Sequence, residues 1–437
     1  MALPNQVNVL LLGSGGRECA FAWKISQSPR LGKLFIAPGN GGTADYGINV
    51  DLSPVDFPVI GQFVQYNNIN LIVVGPEDPL VKGIKDYFVA TSELRHISIV
   101  GPSKAAAALE GSKDVAKRFM ERHNIPTAKY LTVNEKNIEE GLTFLESLKA
   151  PYVLKADGLA AGKGVLILDT VEEAKSQLKE MIVEAKFGEA SKNVVIEEFL
   201  SGIELSVFVA TDGESYKLLP SAKDYKRIGE NDMGLNTGGM GAVSPVPFAD
   251  KTFMDKVIKR IVEPTIQGIK NDNLDYKGFV FIGLMACDGE PFVIEYNVRM
   301  GDPETESVMS LIDSDIIDLF EGIVHKNLGQ IDVRISDKTA TTIVLTAKNY
   351  PNDYPKGDEI TLPKDSKCEA TIFHSGTVVK GAKLLTNGGR VLAITALGDN
   401  IEDALNKAYK AADAVEYAGK YFRKDIGQDL INLTKTK

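Results

Sequence analysis

Short apolar runs, each closed by glycine or proline, recur through the first hundred residues. Val7 to Leu12 reads as a buried strand that stops at the turn Gly13 to Gly16. Arg17 to Ser28 carries Phe21 and Ile25 four apart, the spacing of one helix face. Leu34 to Ala37, Leu71 to Val74 and Ile97 to Val100 read as further strands. They end at Pro38-Gly39-Asn40-Gly41, Gly75-Pro76-Glu77 and Gly101-Pro102. Strands alternating with helices predict a doubly wound parallel sheet. Ligands on such a sheet sit beyond the carboxyl ends of its strands, where these polar, glycine-rich segments fall.

Residues 103–110, with Ala105 to Ala108, read as a short connector. Lys113 to His123 predicts a helix with Val115 and Phe119 on one face and Pro126 beyond its end. A mixed region follows. Tyr152 to Ala156, Val165 to Leu168, Val194 to Glu198, Leu205 to Ala210 and Phe279 to Ala286 read as strands. Ile138 to Leu148 and Val171 to Lys186 read as helices. Residues 331–400 are β-rich in pattern, with turns at Lys356-Gly357-Asp358 and Asn387-Gly388-Gly389, and a helix returns from Ile401 to Tyr417.

The chain has 437 residues, and roughly 150 residues per domain suggests about three domains. Its 44% hydrophobic and 25% charged residues exclude a disordered chain or a fibre. Lys+Arg 49 against Asp+Glu 59 gives a net charge of −10. That gives no general electrostatic case for nucleic acid or an anionic membrane, but leaves room for a local basic pocket. Cys19, Cys287 and Cys368 lie far apart, so neither a disulfide framework nor a zinc knuckle is expected. No apolar run approaches the ~20 residues of a membrane helix. The N-terminus lacks a basic region followed by a cleavable apolar stretch. The expectation is a reduced, cytoplasmic protein.

Several segments carry candidate chemistry. In Gly13-Ser14-Gly15-Gly16-Arg17-Glu18 the glycines let the backbone approach a phosphate, and the helix start offers free N–H groups. Glu18 replaces the third glycine of the dinucleotide fingerprint. The other reading is a tight turn with no ligand. From Lys155 to Val165 a strand, a glycine-rich loop and a second strand suit a hairpin flap over a triphosphate. Lys155 would come from the strand, Lys163 and backbone N–H groups from the loop. No P-loop can be aligned there, and a solvated hairpin tip is the alternative.

Val194 to Leu200 ends in Glu197, Glu198, Phe199 and Leu200. Such a strand end can present backbone groups to adenine, and Glu204 can reach ribose hydroxyls; a solvated edge is the bland reading. Asn236 to Ala242, with Gly238 and Gly239, permits close backbone approach or forms a surface loop. Lys223, Asp224, Lys226 and Arg227 form an anion-binding cluster or a solvated turn.

The sharpest segment runs from Val293 to Thr305. On a strand, Glu295, Asn297 and Arg299 share one face. Val293, Ile294, Tyr296 and Val298 do not alternate cleanly, as expected of a strand covered on both sides. Polar groups on a covered face need partners. Two oxygen ligands and a guanidinium suit a Mg²⁺-nucleotide, with a structural Glu–Arg pair as the alternative. His374, in His374-Ser375-Gly376-Thr377, touches substrate or sits satisfied in a turn. No histidine or cysteine lies at metal spacing.

Taken in order, these segments resemble the phosphoribosylamine–glycine ligase (glycinamide ribonucleotide synthetase) family of ATP-grasp enzymes of purine synthesis. The resemblance covers nearly the whole chain. It runs through GSGGRE at 13–18, APGNGGTA at 37–44, VGPEDPLVKG at 74–83, LEGSKD at 109–114 and LKADGLAAGKGV at 154–165. It continues through IEEFLSGIE at 196–204, NTGGMGA at 236–242, IEYNVRMGDPET at 294–305, FHSGT at 373–377 and TNGGRVL at 386–392.

The resemblance implies an α/β and α+β multidomain fold: a doubly wound N-terminal domain over 1–105, an ATP-grasp body over 106–330 with a lid at about 125–192, and a β-rich domain over 331–437. It implies that Lys113, Lys155 and Lys163 hold phosphates. Glu197, the backbone from Glu198 through Phe199 to Leu200, and Glu204 would hold the nucleoside. Glu295 and Asn297 would bind Mg²⁺ or Mn²⁺. Arg299, Lys163 and Asp302 would serve catalysis, with Pro303 lining the glycine pocket. Gly15, Gly16, Arg17, Glu18, Asn40 and Glu77 would face phosphoribosylamine. Asp224, Lys226, Arg227, Gly238, Gly239, His374, Asn387, Gly388, Gly389 and Arg390 would complete the substrate side.

The implied substrates are ATP, glycine and 5-phosphoribosylamine, and the implied state is a monomer with no nucleic-acid or membrane partner. Another ATP-grasp carboxylate–amine ligase or carboxylase, or a catalytically dead nucleotide-binding protein, are the rival readings. The chain departs from the family pattern at Cys19, where histidine is usual, and at Tyr225 within the usual DHKR. It departs again at Val298, Met300 and Glu306, where NCRFGDPETQ is usual.

Overall fold

A computed structural model of the chain describes residues 3–158, 164–184, 192–363 and 369–435. The N-terminal body contains β1 (Val7–Gly13), α1 (Gly16–Ser26), β2 (Leu31–Pro38), β3 (Ile48–Asn49) and α2 (Phe57–Tyr66). It goes on through β4 (Leu71–Val74), α3 (Glu77–Lys82), α4 (Ile84–Ala90) and β5 (Ser98–Val100). The strands form a parallel sheet in the order β3-β2-β1-β4-β5, with Leu11 opposite both Ile36 and Val73. β1 is almost wholly apolar and buried because it lies mid-sheet with both faces covered. The strand order reverses at β1, so the loops after β1, β2 and β4 meet at one edge, the usual ligand position.

Lys104–Gly111 is a helix, α5, rather than a short connector. Its alanines are strong helix formers, and Ser103 caps it by accepting from Ala106 N. Ser112 caps α6 (Lys113–Arg122) in the same way. Val115 is exposed, and the buried face of α6 is Ala116, Phe119 and Met120 together with Lys117.

The lid comprises β6 (Tyr130–Val133), α7 (Ile138–Ser147), β7 (Tyr152–Ala156), β8 (Val165–Leu168), α8 (Val171–Val183) and β9 (Val194–Glu198). It is an antiparallel sheet in the order β6-β9-β7-β8 with its own core, including Val133, Leu145, Leu154, Leu178 and Ile196. α8 is shorter than its pattern suggested, and Lys186 falls outside the described residues.

Next come β10 (Ile203–Thr211), β11 (Tyr216–Leu218), β12 (Lys223–Asp224), β13 (Arg227–Gly229), β14 (Met233–Asn236) and β15 (Gly241–Ser244). α9 (Lys251–Val257) and α10 (Glu263–Asn271) precede β16 (Gly278–Cys287) and β17 (Glu290–Asn297). The body sheet is antiparallel, β11-β10-β16-β17. Leu284 pairs with Val293 but Gly283 with Glu295, so Ile294 is an inserted bulge residue. That bulge, rather than double coverage alone, breaks the alternation around Val293 and Ile294. It leaves Glu295 and Asn297 two apart, and the strand stops at Asn297 before reaching Arg299.

α11 (Glu304–Leu311) and α12 (Ile316–His325) lead to β18 (Thr339–Thr346), β19 (Ala370–His374), β20 (Thr377–Lys380), β21 (Lys383–Thr386) and β22 (Arg390–Gly398), then α13 (Ile401–Ala414) and α14 (Gln428–Lys435). The last sheet runs β12-β15-β18-β22-β19, so two of its strands come from the segment between body strands. α11 is buried between α1 and this sheet, which is why Glu304 and Glu306 have no solvent exposure to speak of. The expected architecture of parallel N-terminal sheet, grasp body with lid and β-rich C-terminal domain is present. Among the described residues no helix is long and apolar enough to cross a membrane.

Candidate functional site

The site forms where the edge of the N-terminal sheet meets the segment after β17. Gly15 caps α1 and its N–H donates to Glu18 Oε2 at 2.6 Å, so Glu18 occupies the helix start. Arg17 is buried. Its Nε lies 2.6 Å from Glu18 Oε1, its Nη1 donates to Met300 O at 3.1 Å, and its backbone N–H donates to Asp302 Oδ2 at 3.3 Å. Burial alone would lower the Arg17 pKa, but Glu18, Asp302 and Glu77 outweigh it and the guanidinium is held charged. Arg17 thus ties the first turn to the Met300–Asp302 run. Gly16 lets the turn pack closely on the Glu306 carboxyl and the Ser375 hydroxyl, which would have to shift to admit a Cβ.

Arg299 is the meeting point. Its Nη2 lies 2.9 Å from Glu110 Oε1 and 3.1 Å from Asn297 Oδ1, and its Nη1 donates to Met300 O at 3.2 Å. Its Nε faces Glu77 at 3.3 Å but makes no aligned hydrogen bond among the described residues, a buried donor left over. Burial would raise the Glu77 carboxyl, yet Arg299 and Arg17 hold it below its ordinary value. Burial pushes Glu110 up against the pull of Arg299.

On the far side, Arg390 Nη2 lies 3.0 Å from Asp302 Oδ1, and its Nη1 reaches Gly238 O at 2.6 Å and Asp302 O at 2.7 Å. Gly238 N donates to Tyr350 Oη at 3.0 Å. Gly239 has φ +116°, a conformation that favours glycine, and packs on Pro303. Asn387 N donates to Gly376 O at 2.7 Å, and the backbones of Gly376 and Gly388 touch, while Gly389 packs on Tyr350 and Tyr354.

Two expected substrate contacts are spent internally. Asn40 Nδ2 donates to Ser14 O at 2.9 Å and His374 O at 2.7 Å, and its Oδ1 accepts from Gly42 N and Thr43 N. His374 is buried, with Nδ1 3.0 Å from Thr377 Oγ1, and burial pushes its pKa down to about 4. Cys19 accepts from His374 N at 3.3 Å, and burial raises its thiol to about 12. Asn40, Cys19 and His374 therefore join the N-terminal sheet to β19.

A second group gathers around Glu295. Its pKa would rise with burial, but Lys226, Lys155, Lys113 and Arg299 hold the carboxylate ionised. Among the described residues no hydrogen bond or ion pair engages its oxygens. Lys155 Nζ lies 2.9 Å from Glu197 Oε1, and Lys117 Nζ lies 3.0 Å from Glu197 Oε2. Burial pushes Lys117 down to about 8, and the two lysines hold Glu197 below its ordinary range against burial. Lys113 reaches Gly158 O at 3.3 Å. Glu198 Oε1 accepts from Lys129 N, Phe199 is 40% exposed and Leu200 half-buried beside it. Glu204 pairs with Lys226 at 2.7 Å. Asp224 and Glu304 are both raised by burial, Glu304 to about 7. Arg227 turns to Gly234 O at the exposed β13–β14 hairpin. Lys163 lies outside the described residues.

The residues suit a divalent ion. Glu295 offers unengaged anionic oxygens and Asn297 a carbonyl oxygen on the same strand face, the hard ligands such ions take. Among the described residues no group of three or more His, Cys, Asp or Glu forms a closed cage. Remaining oxygens would come from nucleotide phosphates.

Pattern reading missed Glu110, Lys117 and Tyr350. Lys117 was detectable, standing one helical turn after Lys113 on α6. Tyr225, at a departure from the family pattern, is buried and donates to Asp429 Oδ1 at 2.6 Å while accepting from Gly427 N, so it fastens the C-terminal segment.

A parallel N-terminal sheet, an antiparallel lid and a body strand carrying Glu295 and Asn297 beside converging lysines define an ATP-grasp protein. Three successive domain profiles of phosphoribosylglycinamide synthetase match: the N domain over 7–110, the ATP-grasp (A) domain over 111–305 and the C domain over 340–429. The chain belongs to the phosphoribosylglycinamide synthetase family. It is 45% identical over 429 residues to a phosphoribosylamine–glycine ligase of Haemophilus influenzae, covering 96% of this chain and 98% of that one. The relative in Vibrio cholerae with the same name is 42% identical over 99% and 100%. The crystal structure of phosphoribosylamine–glycine ligase from Thermotoga maritima matches with a TM-score of 0.81 at 35% identity, covering 96% of this chain and all of that one.

Proposed function

We propose that this enzyme joins glycine to 5-phosphoribosylamine at the expense of ATP, giving glycinamide ribonucleotide, ADP and phosphate in purine synthesis. The observation that carries the reading is Glu295, an ionised carboxylate with no direct partner among the described residues, ringed by Lys226, Lys155, Lys113 and Arg299. A charge left unpaired among cations suits a triphosphate and its Mg²⁺ or Mn²⁺, with Glu295 and Asn297 as ligands. Bound there, the ion would neutralise phosphate charge.

A carboxylate oxygen is a poor leaving group, so glycine must be activated. Its carboxylate attacks the γ-phosphate in line, giving glycyl phosphate and ADP. Lys113, Lys155 and Lys163 neutralise the phosphates, and Arg299, whose Nε makes no aligned hydrogen bond among the described residues, is assigned to the charge that develops on transfer. The amine of phosphoribosylamine then attacks the acyl carbon and phosphate leaves. No enzyme nucleophile is needed, but water must be excluded, which is the lid's task.

The edge formed by Gly15, Gly16, Arg17, Glu18, Glu77, Asp302, Pro303, Gly238, Gly239 and Arg390 is assigned to phosphoribosylamine and glycine. Asn40, His374 and Asn387 to Gly389 support it from behind. Glu198 to Leu200 and Glu204 are assigned to the nucleoside, with Glu197 acting through Lys155. Residues 1–105, 106–330 and 331–437 are the proposed domains, with the lid at about 125–192, and the enzyme is assigned to the cytoplasm as a monomer.

The test is ADP release with phosphoribosylamine made in situ and each substrate omitted in turn. Dependence on glycine and phosphoribosylamine together is expected. Release with bicarbonate in place of glycine would favour a carboxylase, and ATP binding without turnover a dead site.

A further inference from the structure

We propose that Glu110 is the positioning residue for Arg299, holding the guanidinium so that its Nε is left for the reacting phosphate. The inference rests on the proposed role of Arg299 and extends it to a residue outside the site segments. Glu110 uses both oxygens on one short run of chain. Oε1 lies 2.9 Å from Arg299 Nη2, and Oε2 accepts from Val298 N at 2.7 Å. One side chain therefore fixes both the guanidinium and the main chain that carries it.

The fixation is directional. Glu110, Asn297 and Met300 O engage Nη1 and Nη2, and the remaining Nε has no aligned acceptor among the described residues. Glu77, the other carboxylate nearby, is the looser partner: it lies 3.3 Å from Nε and its side chain is 36% exposed, against 6% for Glu110. An incoming anion can therefore replace Glu77 at Nε while Glu110 keeps hold of the opposite edge. Burying a carboxylate beside an arginine stabilises little, because desolvation offsets the attraction. Such a pair contributes geometry more than stability. Glu110 also stands at the end of α5, next to the joint where Ser112 Oγ donates to Asp157 Oδ1 at 2.9 Å and Lys113 reaches Gly158 O. The same joint sets Arg299 and a phosphate-directed lysine.

The experiment is a double-mutant cycle of Glu110→Gln and Arg299→Ala. It is read on kcat, on ATP affinity with Mg²⁺ by calorimetry, and on melting temperature. Glu110→Gln keeps the shape and can still accept from Val298 N. With Arg299 present it should lower kcat about tenfold, the scale of a small misplacement, and weaken ATP about threefold. In the Arg299→Ala background it should change either by less than about twofold. Equal losses in both backgrounds, or an unchanged kcat with Arg299 present, would overturn the proposal. If Glu110→Gln does not fold, Glu110→Asp, which keeps the charge but not the reach, takes its place in the cycle. A wild-type enzyme that binds ATP but releases no ADP overturns the ligase reading, and the affinity cycle still decides the role of Glu110.

Discussion

Asp302 and Arg390 grip each other twice: Arg390 Nη2 lies 3.0 Å from Asp302 Oδ1, and Nη1 donates to the Asp302 carbonyl at 2.7 Å. Asp302 lies just before Pro303, the N-cap of α11, and Arg390 opens β22 of the C-terminal sheet. The pair closes one side of the site, and a third contact to Gly238 O brings in the glycine loop. Lysine has no fork to reproduce this geometry. Arg390→Lys should raise the Michaelis constant for phosphoribosylamine about tenfold, one lost charge-assisted contact, and leave that for ATP within about twofold. Steady-state kinetics with each substrate varied decide it; an effect confined to ATP would remove Arg390 from the substrate side.

Glu295→Gln removes the charge of the proposed metal ligand and leaves the shape. Because no direct partner among the described residues holds the carboxylate, the fold has little to lose. Turnover should fall about a hundredfold or more, as expected when charge stabilisation in the transition state is lost. The melting temperature should stay within a few degrees. Near-normal rates at saturating Mg²⁺ would sink the metal assignment.

His374 gives the protein an acid limb. Buried and pushed down to about 4, it stays neutral in the folded chain while an unfolded histidine takes a proton near 6.5. Unfolded chains then bind more protons, so stability is full above the unfolded pKa and falls as pH drops from about 6.5 toward 4. For one isolated group the loss is at most about 3 kcal/mol. His374→Gln should flatten that limb, measured as the difference in denaturant unfolding between pH 7.5 and pH 4.5. Superimposable limbs in the two proteins would show that His374 does not carry it.

The parallel sheet and the lid strands were legible because short apolar runs bounded by glycine and proline report burial directly. Val7 to Leu12 and Tyr152 to Ala156 are examples. α5 was not legible: an alanine-rich segment between Pro102 and Ser112 carries helix propensity but little periodic contrast. Nor was the bulge at Ile294, which depends on the register of β16. In the site, residue type and spacing pointed to Glu295, Asn297 and Lys155. They could not tell that Asn40 and His374 spend their polar groups on joining β1, β2 and β19. Glu110 was invisible for a related reason. Its importance lies in a partner, Arg299, that stands far along the chain and meets it only when α5 packs on the end of β17.

Glu306 is where sequence and structure bear on each other most directly. The family pattern has glutamine there. In this chain the carboxyl is fully buried against Gly16 and Ser375, and neither oxygen has a hydrogen-bond partner among the described residues. Burial and then Asp302 raise its pKa well above the ordinary value, against smaller pulls from its own backbone N–H and from Arg390. Protonated, it has the shape and neutrality of glutamine, which explains how the departure is tolerated. A carboxyl raised in the folded state binds more protons there than in the unfolded chain. Its penalty is therefore absent below the unfolded pKa, near 4.3, and grows as pH rises through the window above it. Glu306→Gln should be close to neutral at pH 5 and stabilise the fold by about 1–3 kcal/mol at pH 8, the usual size of relieving one uncompensated buried group. Denaturant unfolding of both proteins at the two pH values tests this. Equal destabilisation at pH 5 and pH 8 would mean that Glu306 is ionised and held by a partner, so that its charge, not its neutral form, is what the site uses.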